Sequence, residues 1–293
     1  MVTCTTPPFR AAVRLNSGVS AQGELVGIRE FEENWNALAE AMMQELGLHR
    51  SRESHPIVGW LNSARRSYMS GDHALGCAQA AYAQFVIEDL ERVKGHDESM
   101  FAYFRKELRR NLPPSNYFGV RQELRLAAAL LTKGIRFNKS ETPDFTLPTS
   151  PSIGIECTSV HLSEQSQSKP KVAYKLSSAI SKKSSYSYST ELQILAVDTS
   201  NLLFHEGLHQ SPVLSRKTEL REIIAAAVDK SSFQSLLTFS YAWVPAGIGN
   251  GATLTNYYSR VDRSDIAEAC RTFLDTHYPL GDIWVLGHLH QRV

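Results

Sequence analysis

The stretch PDFTLPTSPSIGIECTSV, residues 143–160, decides how the second half of this chain folds. Its last part, residues 152–160, alternates as a strand does, with the isoleucines and Cys157 on one face and Glu156 and Thr158 on the other. A carboxylate therefore stands inside an otherwise apolar strand. Taken alone, this carboxylate is equally compatible with an exposed position at a sheet edge, because its neighbours on the same face are not apolar.

Two further acids precede this strand in the sequence. Asp144 opens a short predicted strand, residues 144–147, and a meander with the next strand would bring it close to Glu156. Glu123 lies on the core-facing side of a predicted helix, residues 115–133. Taken singly, Asp144 could mark a turn and Glu123 a salt bridge. Carboxylates buried together are costly without a balancing cation, and hard divalent cations prefer oxygen ligands, so the three acids together predict a metal site.

The pattern resembles the PD-(D/E)xK nuclease superfamily, which includes restriction enzymes, resolvases and repair nucleases. The matching residues are Glu123, then Pro143-Asp144-Phe145, then Ile155-Glu156-Cys157-Thr158. The resemblance spans roughly residues 116–200, and the predicted nuclease core extends over about 116–244. It implies an α/β fold with a restriction-endonuclease-like αβββαβ core and a mixed sheet.

The resemblance also implies a chemistry. Asp144, Glu156 and the backbone carbonyl of Cys157 would hold Mg²⁺ or Mn²⁺, and Glu123 would support the metal directly or through water. The metal would activate a water molecule for attack on a phosphodiester and offset the charge of the transition state. The implied activity is that of a metal-dependent nuclease.

The lysine of the family would stand at Thr158, which cannot carry a positive charge. Similar members supply the lysine from the helix after the third strand, and here that helix offers Lys175, Lys182 and Lys183. Lys175 is favoured because it lies near the helix start, where the chain leaves the metal-binding strand, while Lys183 continues the inward side of the helix. The alternative is that all three are solvated surface lysines.

The positive charge is unevenly distributed, although the net charge is only +1. Residues 101–140 hold nine Lys or Arg against two Glu, and residues 161–190 hold five Lys against one Glu. Arg121 and Arg125 flank Glu123 and are phosphate-binding candidates without base specificity. As a group these cations favour a polyanionic substrate, and DNA is the expected one.

The chain is expected to have two domains, a helical one over residues 1–114 and a nuclease domain over residues 115–293. Residues 28–111 show helical spacing, and the Pro113-Pro114 pair should end the last helix of that region. Beyond the motif region, strands are predicted at 135–138, 192–198, 235–244 and 282–286, and helices at 171–184, 217–230 and 265–277. The helical domain could recognise substrate, dock on a partner protein or form a homodimer, which would suit a double-strand cutter.

Composition excludes several other classes. No apolar run approaches the roughly 20 residues of a membrane span, and the first twenty residues lack the apolar block of a secretory signal. The four cysteines lie far apart, so neither a metal knuckle nor a dense disulfide framework is indicated. The expectation is a cytoplasmic magnesium-dependent deoxyribonuclease, in bacterial defence or DNA processing.

Two alternatives remain open. The run His205-Glu206-Gly207-Leu208-His209 matches HExxH, the zinc protease motif, with Glu219 or Glu222 as a third ligand, although Gly207 and Pro212 disfavour a helix there. The other alternative keeps the nuclease fold without its chemistry, as a catalytically inactive protein that binds nucleic acid or a partner.

Overall fold

The computed structural model describes residues 21–160, 169–200, 219–245, 252–280 and 284–285. The chain forms two compact units, and the division between them falls after Ala128. The first unit contains the helical region up to that residue, and the second contains most of the sheet. The first unit thus reaches beyond the expected domain end at residue 114, into the helix that follows the double proline.

The described secondary structure before residue 138 is helical, which confirms the helical character predicted for residues 28–111. Two hydrogen bonds tie helices of the first unit together: the Trp35 indole N–H donates to the Leu61 carbonyl over 2.7 Å, and His55 Nε2 lies 2.9 Å from the Leu108 carbonyl oxygen. The helices are α1 (Ala21–Leu46), α2 (Pro56–Met69), α3 (His73–His96), α4 (Glu98–Arg109) and α5 (Pro114–Thr132).

Helix α5 ends in a cap formed by Gly134. This residue adopts a φ of +67°, which glycine tolerates because it has no Cβ. The Ile135 N–H donates to the Leu130 carbonyl and the Gly134 N–H to the Leu131 carbonyl, each over 2.9 Å, as in a Schellman motif. The chain is thereby turned out of the helix towards the first strand.

The second unit is built on a mixed sheet, which confirms the α/β class. Its strands lie side by side in chain order. They are β1 (Asn138–Lys139), β2 (Phe145–Leu147), β3 (Ile153–Ser159), β4 (Leu192–Asp198), β5 (Ser235–Pro245), β6 (Ala252–Asp262) and β7 (Trp284–Val285). The pairs β1–β2, β2–β3 and β6–β7 are antiparallel, whereas β3–β4 and β4–β5 are parallel.

Helices occupy the connections between the parallel strands, as a parallel arrangement requires. Helix α6 (Lys169–Ser184) follows β3, α7 (Glu219–Asp229) follows β4, and α8 (Glu268–His277) follows β6. The predicted strand at 192–198 is reproduced, and the predicted helices agree with the described ones to within a few residues. The order α5, β1, β2, β3, α6, β4 places three strands between two helices.

Two strand predictions differ from the structure. The first strand begins at Asn138 and not at Ile135, because the Ile135 N–H takes part in the cap of α5. Strand β6 was not predicted, since its polar residues interrupt an apolar alternation. One of them, Arg260, is 2% exposed and forms ion pairs with Asp262 over 2.7 Å and with Asp275 of α8 over 2.6 Å.

The hydrophobic core of the second unit lies between one face of the sheet and the helices α6 and α7. In the register of the parallel strands, Glu156 pairs with Leu195, which pairs with Leu236, so these three residues share a face. Leu195 and Leu236 belong to one buried cluster with Leu176 and Ile180 of α6. Glu156 therefore stands on the same face as the apolar core.

Candidate active site

The β2–β3 pairing brings Asp144 and Glu156 together. Phe145 pairs with Ile155, and continuing this register by one residue sets Asp144 opposite Glu156. Asp144 Oδ2 accepts a hydrogen bond from the Cys157 backbone N–H over 2.7 Å, so its side chain lies against β3. The meander expected from the sequence thus delivers the two carboxylates to one place.

Gly154 makes this close approach possible. A Cβ at this position would lie 2.6 Å from Pro143 Cγ and would also collide with the Thr190 hydroxyl, both shorter than real Cβ contacts. The missing side chain lets the Pro143 ring rest directly on β3. Pro143 in turn precedes Asp144, so Gly154 sets how near that carboxylate comes to the strand.

Glu156 is buried, with 3% of its surface exposed, which excludes the interpretation as an exposed edge residue. Its Oε1 accepts a hydrogen bond from Lys183 Nζ over 2.6 Å. Its Oε2 is also buried and has no hydrogen-bond partner within the described part of the chain. A buried carboxylate oxygen without a partner is costly, and a bound cation or water would remove that cost.

Helix α6 presents Lys183 to Glu156 through ordinary helical spacing. Leu176 and Ile180 are buried on the side of the helix that faces the sheet, and Lys183 follows on the same side, half-buried. Lys182 is exposed. The lysine that the structure brings to the acidic pair is thus Lys183, whereas the sequence favoured Lys175 on position.

The reason lies in the direction of the crossover. A helix that connects parallel strands runs back along the sheet, so its beginning lies near the end of the first strand and its last turn lies beside earlier residues of that strand. Glu156 is in the middle of β3, and Lys183 is in the last turn of α6. Lys175 lies two turns earlier and is half-buried on the helix.

Tyr188 fixes the backbone that carries Lys183. Its hydroxyl donates to the Lys183 carbonyl over 2.7 Å, and its ring meets the Phe233 ring edge-on at 5.8 Å. Burial raises the pKa of Tyr188, and the nearby charge of Glu156 raises it further, so the hydroxyl keeps its proton. No sequence pattern pointed to this residue, because it follows the helix in a Ser-rich stretch.

A second lysine, Lys139 of β1, contacts the acidic pair from the other side. Its Nζ lies 3.3 Å from Asp144 Oδ1 and donates to the Ser140 carbonyl over 2.9 Å. The side chain of Lys139 is 17% exposed and that of Asp144 is 11% exposed. Lys139 was not among the predicted site residues, because strand β1 has only two residues and gives no periodic signal.

The pKa shifts reflect two acids sharing a buried place. Burial raises the pKa of Glu156, and Asp144 raises it further, while Lys183 and Lys139 act against these effects. For Lys183, burial lowers the pKa, but the hydrogen bond and the charge of Glu156 and the charge of Asp144 outweigh it, so its pKa is raised. Lys183 is therefore a permanent cation at neutral pH.

The remaining predicted residues lie on α5. Glu123 is half-buried and belongs to the first unit, whereas Asp144 and Glu156 belong to the second. Its support of the metal therefore stays a prediction. Arg121 and Arg125 are 2% and 6% exposed, so neither is the plain surface charge that an isolated arginine would suggest.

The donors present fit a hard divalent cation in a site with two carboxylates. Among the described residues, no group of three or more His, Cys, Asp or Glu side chains is placed to hold a metal. The oxygens that face this place are Glu156 Oε2, which has no partner among the described residues, and the two of Asp144. The Cys157 carbonyl lies on the β2 side of the strand, as the Cys157 N–H does. Mg²⁺ is commonly bound by one or two carboxylates together with water and phosphate.

The HExxH run at His205 and His209 lies outside the described residues, as does the side chain of Glu219. Glu222, the other proposed third ligand, is exposed on α7. The protease interpretation therefore stays untested.

Comparison of the chain with family models, curated proteins and solved structures gives no match. In the described part of the chain, no helix combines the length and the apolar character needed to cross a membrane.

Proposed function

We propose that the chain is a metal-dependent nuclease of the PD-(D/E)xK type that hydrolyses phosphodiester bonds, with DNA as its substrate. The observation that carries the proposal is the 2.6 Å contact between Lys183 and Glu156. Thr158 cannot supply the cation that this chemistry needs, and Lys183 reaches the same carboxylate from the following helix.

The arrangement of elements supports the proposal. Helix α5, the meander β1–β2–β3, helix α6 and the parallel strand β4 follow one another in the αβββαβ order that the resemblance implies. The two motif acids meet across β2 and β3, and the lysine arrives from α6. Two acids on adjacent strands and a lysine from the following helix thus converge, which a chance resemblance of short motifs does not require.

Asp144, Glu156 and the Cys157 carbonyl would hold Mg²⁺ or Mn²⁺. The bound ion would polarise a phosphate oxygen and lower the pKa of a bound water. The all-oxygen donor set matches the preference of these ions.

The protein side chains perform the remaining tasks. Lys183 stays protonated, so its ammonium group stabilises negative charge that develops on the phosphate and does not accept a proton. Glu156 Oε1 holds that ammonium group in position, and the Tyr188 hydroxyl holds the backbone beneath it. Burial of both acids excludes bulk water and strengthens each of these interactions.

A catalytically inactive, nucleic-acid-binding or partner-binding protein is the second candidate, and one observation favours it. Two ammonium groups, of Lys139 and Lys183, already balance the two carboxylates. A site that is neutral without a metal can persist as a structural ion-pair cluster. In either case the helical first unit would supply contacts to DNA, to a partner protein or to a second copy of the chain.

The test is cleavage of supercoiled plasmid and of linear single- and double-stranded DNA with Mg²⁺, Mn²⁺ or a chelator. Parent protein is compared with Asp144→Asn, Glu156→Gln and Lys183→Met. We expect metal-dependent cutting by the parent and a loss of about 100-fold or more in each variant, the scale found when one charge-stabilising group is removed. Lys182→Met, one residue from Lys183 but exposed, is the matched control and should cut like the parent.

Cutting that survives in all three variants would place the chemistry elsewhere in the chain. A folded parent that binds DNA without cutting it under any of these conditions would favour the inactive binder.

A further inference from the structure

The four oxygens of the acidic pair are not equally accessible to a cation. Glu156 Oε1 is held by Lys183 at 2.6 Å, and Asp144 Oδ2 is held by the Cys157 N–H at 2.7 Å. Asp144 Oδ1 is held by Lys139 at 3.3 Å, while Glu156 Oε2 has no partner among the described residues. One oxygen on Glu156 is thus open, and each oxygen on Asp144 is already engaged.

We infer that Lys139 is a built-in competitor for the metal, so that a divalent cation bound by both acids takes the place of the Lys139 ammonium group at Asp144 Oδ1. This inference rests on the proposed function, because it concerns the same site. Oδ2 is not the oxygen exchanged, since its hydrogen bond comes from the backbone of β3, which cannot move without breaking the sheet.

Lys139 is suited to such an exchange. It lies on β1, a strand of two residues at the edge of the sheet, and its contact with Asp144 is longer than that of Lys183 with Glu156. Its ammonium group is compact, readily hydrated and carried on a flexible stem. Lys183 is more firmly placed, because Tyr188 fixes its backbone.

The second contact of Lys139 provides a place for the displaced group. The ammonium group also donates to the Ser140 carbonyl over 2.9 Å, and that contact does not involve the acids. A lysine released from Asp144 would remain near the site, where a phosphate group of the substrate attracts it. Exchange of Lys139 for the metal would thus convert a counter-ion of Asp144 into a substrate contact.

The experiment is a titration of the nucleic-acid-free protein with Mn²⁺. Binding is measured by calorimetry and by the electron paramagnetic resonance signal of free Mn²⁺. Removal of the competing cation in Lys139→Met should lower the dissociation constant about tenfold, equivalent to about 1.4 kcal/mol. Lys139→Gln, which keeps a polar side chain without the charge, should behave in the same way. Lys182→Met, which removes an exposed lysine of the same unit, should bind Mn²⁺ like the parent.

The outcomes separate this inference from the proposed function. If the parent binds Mn²⁺ in a manner that requires Asp144 and Glu156, and both Lys139 variants bind it equally or more weakly, competition by Lys139 is overturned and the nuclease proposal stands. If the parent and the Lys139 variants all fail to bind Mn²⁺ through these acids, the metal site itself is overturned. The inference is supported only if both Lys139 variants bind Mn²⁺ more tightly than the parent and Lys182→Met does not.

Discussion

The two units of the chain each bury carboxylates, but they neutralise them differently. In the helical unit, Asp89 is 8% exposed and faces the positive charges of Arg92, Arg121 and Arg125. In the sheet unit, two carboxylates stand together and meet two lysines. The first cluster has three arginines against Asp89 and Glu88, whereas the second has two lysines against two acids that repel each other.

The type of cation that meets the carboxylates also differs between the two units. Arg121 packs its guanidinium group 3.9 Å from the centre of the Tyr82 ring, an arrangement that a planar group favours and that fixes it in place. Lysine ammonium groups are strongly hydrated and mobile, so they can give way to a metal or a phosphate. Arg121 is thus held by ring packing, whereas the proposed exchange with a metal concerns the more loosely held ammonium group of Lys139.

The largest effect is expected when the arginine cluster is broken. Arg121→Met keeps the aliphatic stem but removes the charge that faces Asp89 and the contact with Tyr82. We expect the free energy of unfolding to fall by about 3 kcal/mol, because the change removes a buried cation–π contact together with one of three positive charges that face Asp89. Denaturant unfolding at neutral pH measures the change.

Arg66→Met, on the exposed surface of α2, is the control and should shift stability by no more than about 0.5 kcal/mol. Equal effects of the two substitutions would mean that the buried cluster has no special structural role.

An intermediate effect is expected from the pH dependence of the same cluster. Burial raises the pKa of Asp89 from 3.8 to about 6, so between these values the folded state binds more protons than the unfolded state. Stability contributed by this group is therefore present at low pH and is lost as pH rises through about 6. Relative to Asp89→Asn, the parent should lose on the order of 2 to 3 kcal/mol between pH 4 and pH 7.

Unfolding measured in parallel on parent and variant across this range isolates the contribution of Asp89, since other titrating groups cancel in the difference. A difference that does not change with pH, or that grows in the opposite direction, would show that the arginines outweigh burial.

The smallest effect is expected in the sheet unit, with the opposite sign. Glu156→Gln removes one of two neighbouring buried charges, and Lys183 is partly exposed and can turn to solvent. The free energy of unfolding should rise by about 1 kcal/mol while cleavage is lost, as when a site sacrifices stability for activity. Thermal unfolding in the absence of metal measures this. If Glu156→Gln instead lowers the free energy of unfolding, the acidic pair has a structural role like that of the arginine cluster.

The fold was largely predictable where local patterns repeat. The alternation of Ile153 and Ile155, the helical spacing of α5 and the glycine at its end identify their elements without tertiary information. Strand β6 was missed because Arg260 looks like a surface residue in sequence, and only its pairing with Asp262 and Asp275 makes burial acceptable. Such compensation depends on neighbours that the local sequence does not show.

The site was predictable in its acids but not in its cations. Asp144 and Glu156 lie on adjacent strands, so their encounter follows from strand pairing. A lysine has a long flexible side chain, so its place in a helical pattern does not show what it contacts. Lys175 was favoured only because it lies near the start of α6. Because α6 runs back along the sheet, its last turn brings Lys183 to Glu156. Lys139 carried no signal at all, since its strand is defined by its partner β2.

The shared face of Glu156 and Leu195 ties the reactive groups to the packing of the core. Ile180 and Lys183 occupy one side of α6, so any loosening of that helix moves the ammonium group together with the apolar side chains. Under the proposed nuclease function, substitutions among the buried aliphatic residues would therefore alter turnover before they cause unfolding. Laboratory selection for faster variants of the proposed nuclease would find them among its leucines and isoleucines as readily as among its charged residues.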